Sequence, residues 1–108
     1  MLITDLSPSE LAAIVPPLQS QEGVADPIVY IKFVSDSGWR WYVTEGSLES
    51  EDLIFFGFVI GAEEEWGEFS LSELSELYKS SGHPIRRDLH LAPGPLSQVL
   101  GRENRLIA

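Results

Sequence analysis

The longest unbroken apolar stretch of the chain is Leu53 to Ala62, and Leu53 to Ile60, LIFFGFVI, is its strand-like part. Apolar residues at both parities predict a strand covered on both faces, and therefore a central one. Gly57 within it marks a bulge or a close backbone approach. Upstream, Ile28 to Val34 (IVYIKFV) is β-branched and aromatic and reads as a strand. Trp39 to Thr44 (WRWYVT) alternates with period two, with Trp39, Trp41 and Val43 on one face and Arg40, Tyr42 and Thr44 on the other. Ser35-Asp-Ser-Gly38 between them has turn composition, so a hairpin is expected. Glu45 to Asp52 reads as an acidic loop, and Trp66 to Phe69 as a short strand. Ile85 to Leu91 (IRRDLHL) alternates in part and suits an edge strand with charged outer positions.

Helical signals lie on either side of this β-rich centre. Ser7-Pro-Ser-Glu10 is a capping-box pattern with proline at the first helical position, predicting a helix from Pro8 to Val15 that Pro16-Pro17 stops. The following LQSQEGVADP reads as loop. Ser70-Leu-Ser-Glu73 is a second capping box, followed by Leu71, Leu74, Leu77 and Tyr78 at helical spacing and by Gly82 as the stop. Pro93-Gly-Pro95 interrupts the chain, Pro95 to Leu100 suits a short last helix ended by Gly101, and residues 101–108 read as a frayed tail in which Leu106 and Ile107 are the residues able to dock. The order predicts one domain over 1–108 of α+β class: an antiparallel meander of four or five strands with two or three short helices packed mainly on one face.

Charge changes the picture more than composition does. The chain of 108 residues carries 17 acids and 7 Lys or Arg, a net charge of −10, and no cysteine, so disulfide and thiolate chemistry are excluded. Residues 1–44 sum to −3 and residues 77–108 to +3, while residues 45–76 hold ten acids and no base. Such a field repels phosphate backbones and anionic lipid and attracts basic surfaces. The apolar run is too short to span a bilayer, and MLITDLSPSE has no basic region ahead of a long apolar stretch, so no signal peptide is expected and a cytoplasmic location is.

Three groups of residues invite chemistry. Asp52 and Glu63, Glu64, Glu65 and Glu68 flank the apolar strand and are oxygen ligands of the kind Mg²⁺ or Mn²⁺ prefers, but a run of neighbours cannot all face one ion, and their spacing matches no metal-binding loop. A solvated acidic face is the simpler reading. Trp39, Trp41 and Tyr42 resemble a base-stacking platform, although a small domain needs such residues as core. Asp88 and His90 share a face if 85–91 is a strand, yet no nucleophile accompanies them. Arg86-Arg87 is the one basic pair, and one of the two is expected to meet the acidic belt.

The blocks DPIVYIKF, WxWYVTE, LIFFGFVIGAEEEWGEFSLSEL and PIRRDLHLAPGPLSQV, in this order over residues 1–100, resemble a family of small bacterial, plasmid and phage proteins catalogued as domain of unknown function 2958. The resemblance implies an association with mobile elements, and with it a role in anti-defence, DNA transfer or regulation; it implies no catalytic residues.

The expectation from the sequence is a non-enzymatic interaction protein without cofactor or metal, a monomer rather than an oligomer. Glu49, Glu51, Asp52, Glu63, Glu64, Glu65, Glu68 and Glu73 would meet a basic protein surface, imitating a row of phosphates, with no direct binding of nucleic acid or membrane. The alternatives are a divalent-metal-dependent hydrolase or nuclease using the clustered carboxylates, and a single-strand binder using Trp39, Trp41 and Tyr42.

Overall fold

The computed structural model describes the backbone of residues 1–107 and the side chains of residues 1–103. Five strands form an antiparallel sheet: β2 (Ile31–Ser35), β3 (Arg40–Glu49), β4 (Asp52–Ile60), β5 (Glu64–Ser70) and β6 (Ile85–Arg87), in the spatial order β5-β4-β3-β2-β6. A second, two-stranded ribbon pairs β1 (Ile28–Val29) with β7 (Gly94–Pro95). Three helices complete the α+β fold, α1 (Pro8–Ala12), α2 (Leu71–Ser81) and α3 (Leu96–Ile107), preceded by a 3-10 turn at Ile3–Asp5.

The long apolar run is β4, second from one edge and flanked on both sides by strands. Its odd positions, Leu53 and Phe55, enter the main core with Phe33, Trp41, Val43 and Phe69, beneath α1 and α2. Its even positions face the other side, where Phe58 and Ile60 join Tyr42, Val29, Leu96 and Val99 of α3. Two of the three helices therefore share one face, and α3 covers part of the other.

The capping boxes behave differently. Ser70 Oγ accepts from Glu73 N at 3.1 Å and opens α2, which Gly82 closes in the left-handed conformation (φ 73°). Ser7 makes no cap: its hydroxyl bonds Ser9 Oγ at 3.1 Å, and α1 ends at Ala12, short of the expected Val15. The expected loop from Glu45 to Asp52 is strand instead, because the apolar β4 needs a full-length partner. Pairing runs from Arg40↔Ile60 to Glu49↔Asp52, closed by a two-residue turn with Ser50 at φ 58°. The register shifts by one residue between Val43 and Glu45, opposite Gly57. A Cβ at Gly57 would lie 2.0 Å from the Tyr42 carbonyl oxygen, so this position requires glycine.

Three further expectations are corrected near the C-terminus. Strand β6 stops at Arg87: Asp88 N still donates to Lys32 O at 2.9 Å, and the chain turns at Leu89 and His90. Pro93-Gly-Pro95 supplies a strand as well as a break, with Ile28↔Pro95 paired. Gly101 lies inside α3, which runs on to Ile107 rather than ending at Leu100. The expected docking of Leu106 and Ile107 lies outside the described side chains.

The two sheet edges differ. Strand β6 is covered by the N-terminal residues, through a bridge between Leu2 and Arg86 and a hydrogen bond from Arg87 N to Met1 O at 2.9 Å. Among the described residues, β5 has a strand on its β4 side only.

Candidate functional site

Face parity along β3, β4 and β5 builds the site. Glu45, Phe56 and Glu68 are paired across the three strands and stand in one row, with Tyr42, Phe58 and Trp66 in another. Helix α3 covers the Tyr42 end of this face. The other end is left as a groove of about 620 Å³, with Phe56 and Trp66 as its aromatic floor and Glu45, Glu49 and Glu68 around them. The Trp66 ring is stacked on Phe56 (centroids 5.8 Å apart, planes at 12°), leans on Phe58 at 5.2 Å, and remains 43% exposed.

The remaining wall is the segment between α1 and β1, whose sequence reads as loop. It is tied to the sheet at defined points. Glu45, only 5% exposed, accepts from Gln19 N at 2.7 Å and from Gln21 N at 2.9 Å. The Gln21 side chain donates to the carbonyls of Ile28 and Thr44 and accepts from Ile28 N at 2.7 Å. Leu18 N donates to Ser47 Oγ, and Gly46 N to Pro16 O. Gln19 has φ 74°, a left-handed conformation unusual for a residue with a Cβ, and its bond to Glu45 holds it there. The wall is thus preformed. It adds Glu22 and Val24 to the lining, and among the described residues no Lys or Arg lines the groove.

The acids expected to form one patch separate along the sheet. Glu63, Glu64 and Glu65 are exposed around the β4–β5 turn, while Glu49, Glu51 and Asp52 lie at the β3–β4 turn. The length of β4, roughly 27 Å at strand rise, separates the two sets. Glu73 belongs to the second set: it opens α2 next to Ser72, whose N–H and hydroxyl donate to Asp52 at 3.2 and 2.5 Å. Glu68 stands between the sets, on the groove. Glu22 and Glu45, absent from the expected patch, complete it; the only sequence signal for Glu45 was its place in the acidic run.

The two alternative constellations do not assemble. Asp52 and Glu63 to Glu65 occupy opposite ends of β4, and among the described residues no three His, Asp or Glu side chains are grouped to hold a metal. Trp39 and Trp41 share a face, with ring centroids 6.0 Å apart, but Trp41 is buried in the main core and Tyr42 lies under α3 on the opposite face, so of the three only Trp39, 40% exposed, presents its ring to solvent. His90 lies in a turn rather than a strand, where its backbone N–H donates to Asp88 at 2.9 Å, and Asp88 is also 3.8 Å from Lys32 Nζ. Arg86 pairs with Asp36 at 2.8 Å instead of the acidic belt.

A second polar cluster is internal. Under α3, Glu103 accepts from Lys32 Nζ at 2.5 Å and from the Tyr42 hydroxyl, with Arg40 at 3.7 Å. Burial first, then the hydrogen bond to Glu103, pushes the Tyr42 phenol well above its ordinary pKa. These groups satisfy one another, and the cluster fastens α3 to the sheet.

Fold and site together define a small α+β domain bearing a preformed aromatic groove ringed by carboxylates. Comparison with models of protein families, with curated proteins and with solved structures finds no match for this chain. No helix among the described residues is long and apolar enough to cross a membrane.

Proposed function

We infer that this protein is a non-enzymatic interaction module whose carboxylate-ringed groove docks on a basic protein surface. One observation carries the reading: every ion pair among the described residues joins Lys32, Arg40 or Arg86 to Asp36, Asp88 or Glu103, so no acid between Glu45 and Glu76 takes part in one. Lys32, Arg40 and Arg86 are engaged by acids outside the middle third, whose own field is left for a partner. The groove concentrates that field beside exposed aromatic surface, the combination that suits a cationic side chain. The resemblance to a mobile-element family is consistent with a partner that itself holds nucleic acid, and such a role belongs to this proposal.

The test is capture of basic proteins on the immobilised chain at low and high salt. Retention at 50 mM salt that falls by about tenfold or more at 500 mM supports docking through screened charges. Partners held equally at both salts would exclude charge as the driver.

A further inference from the structure

The groove and the uncovered edge of β5 adjoin, and they call for the same occupant. The edge of β6 is closed by Met1 and Leu2, but β5 presents the backbone groups of Glu64 to Ser70 on its outer side with no described strand beside them. Edge backbone groups are a template for an added strand. The side chains along this template are acidic: Glu64 and Glu68 on the groove face and Glu65 on the other. Gly67 leaves room on that other face, since a Cβ there would meet nothing within 4 Å.

Building on the docking reading above, we propose that the partner contributes an extended basic segment that adds to β5 as a sixth strand and lays an arginine side chain across Trp66 into the groove. Residues of an added strand opposite Trp66 and Glu68 emerge on the groove face, because paired residues share a face. A guanidinium there has the Trp66 ring beneath it and the exposed Glu68 carboxylate beside it in the hollow, and it meets no competing cation in the described lining. Arginine fits better than lysine, since its planar group stacks on indole while donating in its own plane to carboxylates. The backbone ladder supplies the affinity common to any extended chain, and the groove selects for arginine at one register.

The probe is a fluorescein-labelled heptapeptide alternating arginine and threonine, followed by anisotropy at low salt, with hydrogen exchange of residues 64–70 read in parallel. Slowed exchange of those amides is expected on binding. A peptide N-methylated at alternate residues, which cannot complete the ladder, is expected to bind at least about tenfold more weakly. Trp66→Ala, on an exposed edge, should cost roughly fivefold for the arginine peptide, and Glu68→Gln should also weaken it, with circular dichroism reporting the fold of both. If the N-methylated peptide binds equally and exchange of 64–70 is unchanged, strand addition is overturned while docking of basic surfaces stands. If no cationic peptide binds at low salt, both readings fall. Protection of the same amides without peptide, together with a sedimenting dimer, would assign the edge to a second copy and overturn the proposal.

Discussion

Glu45 is the residue on which the groove depends. A carboxylate buried in a sheet ordinarily costs free energy, and here two backbone amides of the facing loop offset that cost. It sits one position past the bulge opposite Gly57, and the bulge sets the register that pairs it with Phe56 and so places it on the groove face. Glu45→Ala would strand the amides of Gln19 and Gln21 and release the left-handed Gln19. We expect a loss of about 2 kcal/mol in urea denaturation, with accelerated exchange confined to the 16–27 wall. Glu45→Gln, which keeps one acceptor oxygen, should lose roughly half of that.

Helix attachment follows one device at the scale of elements: a carboxylate from elsewhere in the chain binds the first turn. Asp52 accepts from the hydroxyl and N–H of Ser72 at the start of α2, and Asp26 from those of Ser97 at the start of α3. The serine hydroxyl bonds are the main cause holding both carboxyls below their ordinary value of 3.8. A folded pKa below the unfolded one stabilises fully above the ordinary value, and that stabilisation disappears as pH falls through the lowered pKa. The urea midpoint of the native chain should therefore drop as pH falls below the ordinary value of 3.8, and Asp52→Asn should show a shallower drop. The body of α3 is held by Glu103. Its replacement by alanine would leave Lys32 and Tyr42 buried, with only Asp88 at 3.8 Å from the ammonium. A cost of about 3 kcal/mol is expected, with loss of exchange protection over 96–103 ahead of global unfolding.

These elements also mark what the sequence could and could not disclose. The apolar run of β4, the working capping box of α2 and its Gly82 stop were legible because each signal is local and strong. Residues 45–49 were not: acidic and small side chains read as loop, and only their pairing with Leu53 to Phe56 makes them strand. The groove wall and the α3 anchor rest largely on hydrogen bonds between residues distant in sequence, such as Gln21 to Glu45, 24 positions apart, and Lys32 to Glu103, 71 apart. No periodicity carries such information. The acids of the middle third were visible as a composition, but a strand of nine residues between them divides the set and leaves Glu68 with Glu45 at the groove.

At the scale of the whole molecule, an open edge on a β-rich domain carries a risk of self-pairing, and the charge of β5 bears on it directly. Two copies meeting antiparallel about Gly67 would align Glu64 with Ser70, Glu65 with Phe69 and Trp66 with Glu68, bringing six carboxylates along one seam with no described cation among them. Diagonal neighbours on one face of such a seam lie about 7 Å apart, close enough for like charges to repel. The same glutamates that would attract a basic strand therefore exclude a second copy of this one. Replacing Glu64, Glu65 and Glu68 together by glutamine keeps the side-chain volumes and removes the repulsion. Sedimentation at neutral pH should then show a concentration-dependent dimer for the triple variant and none for the native chain. A native dimer already present at neutral pH and low salt would mean that this charge does not keep the edge free.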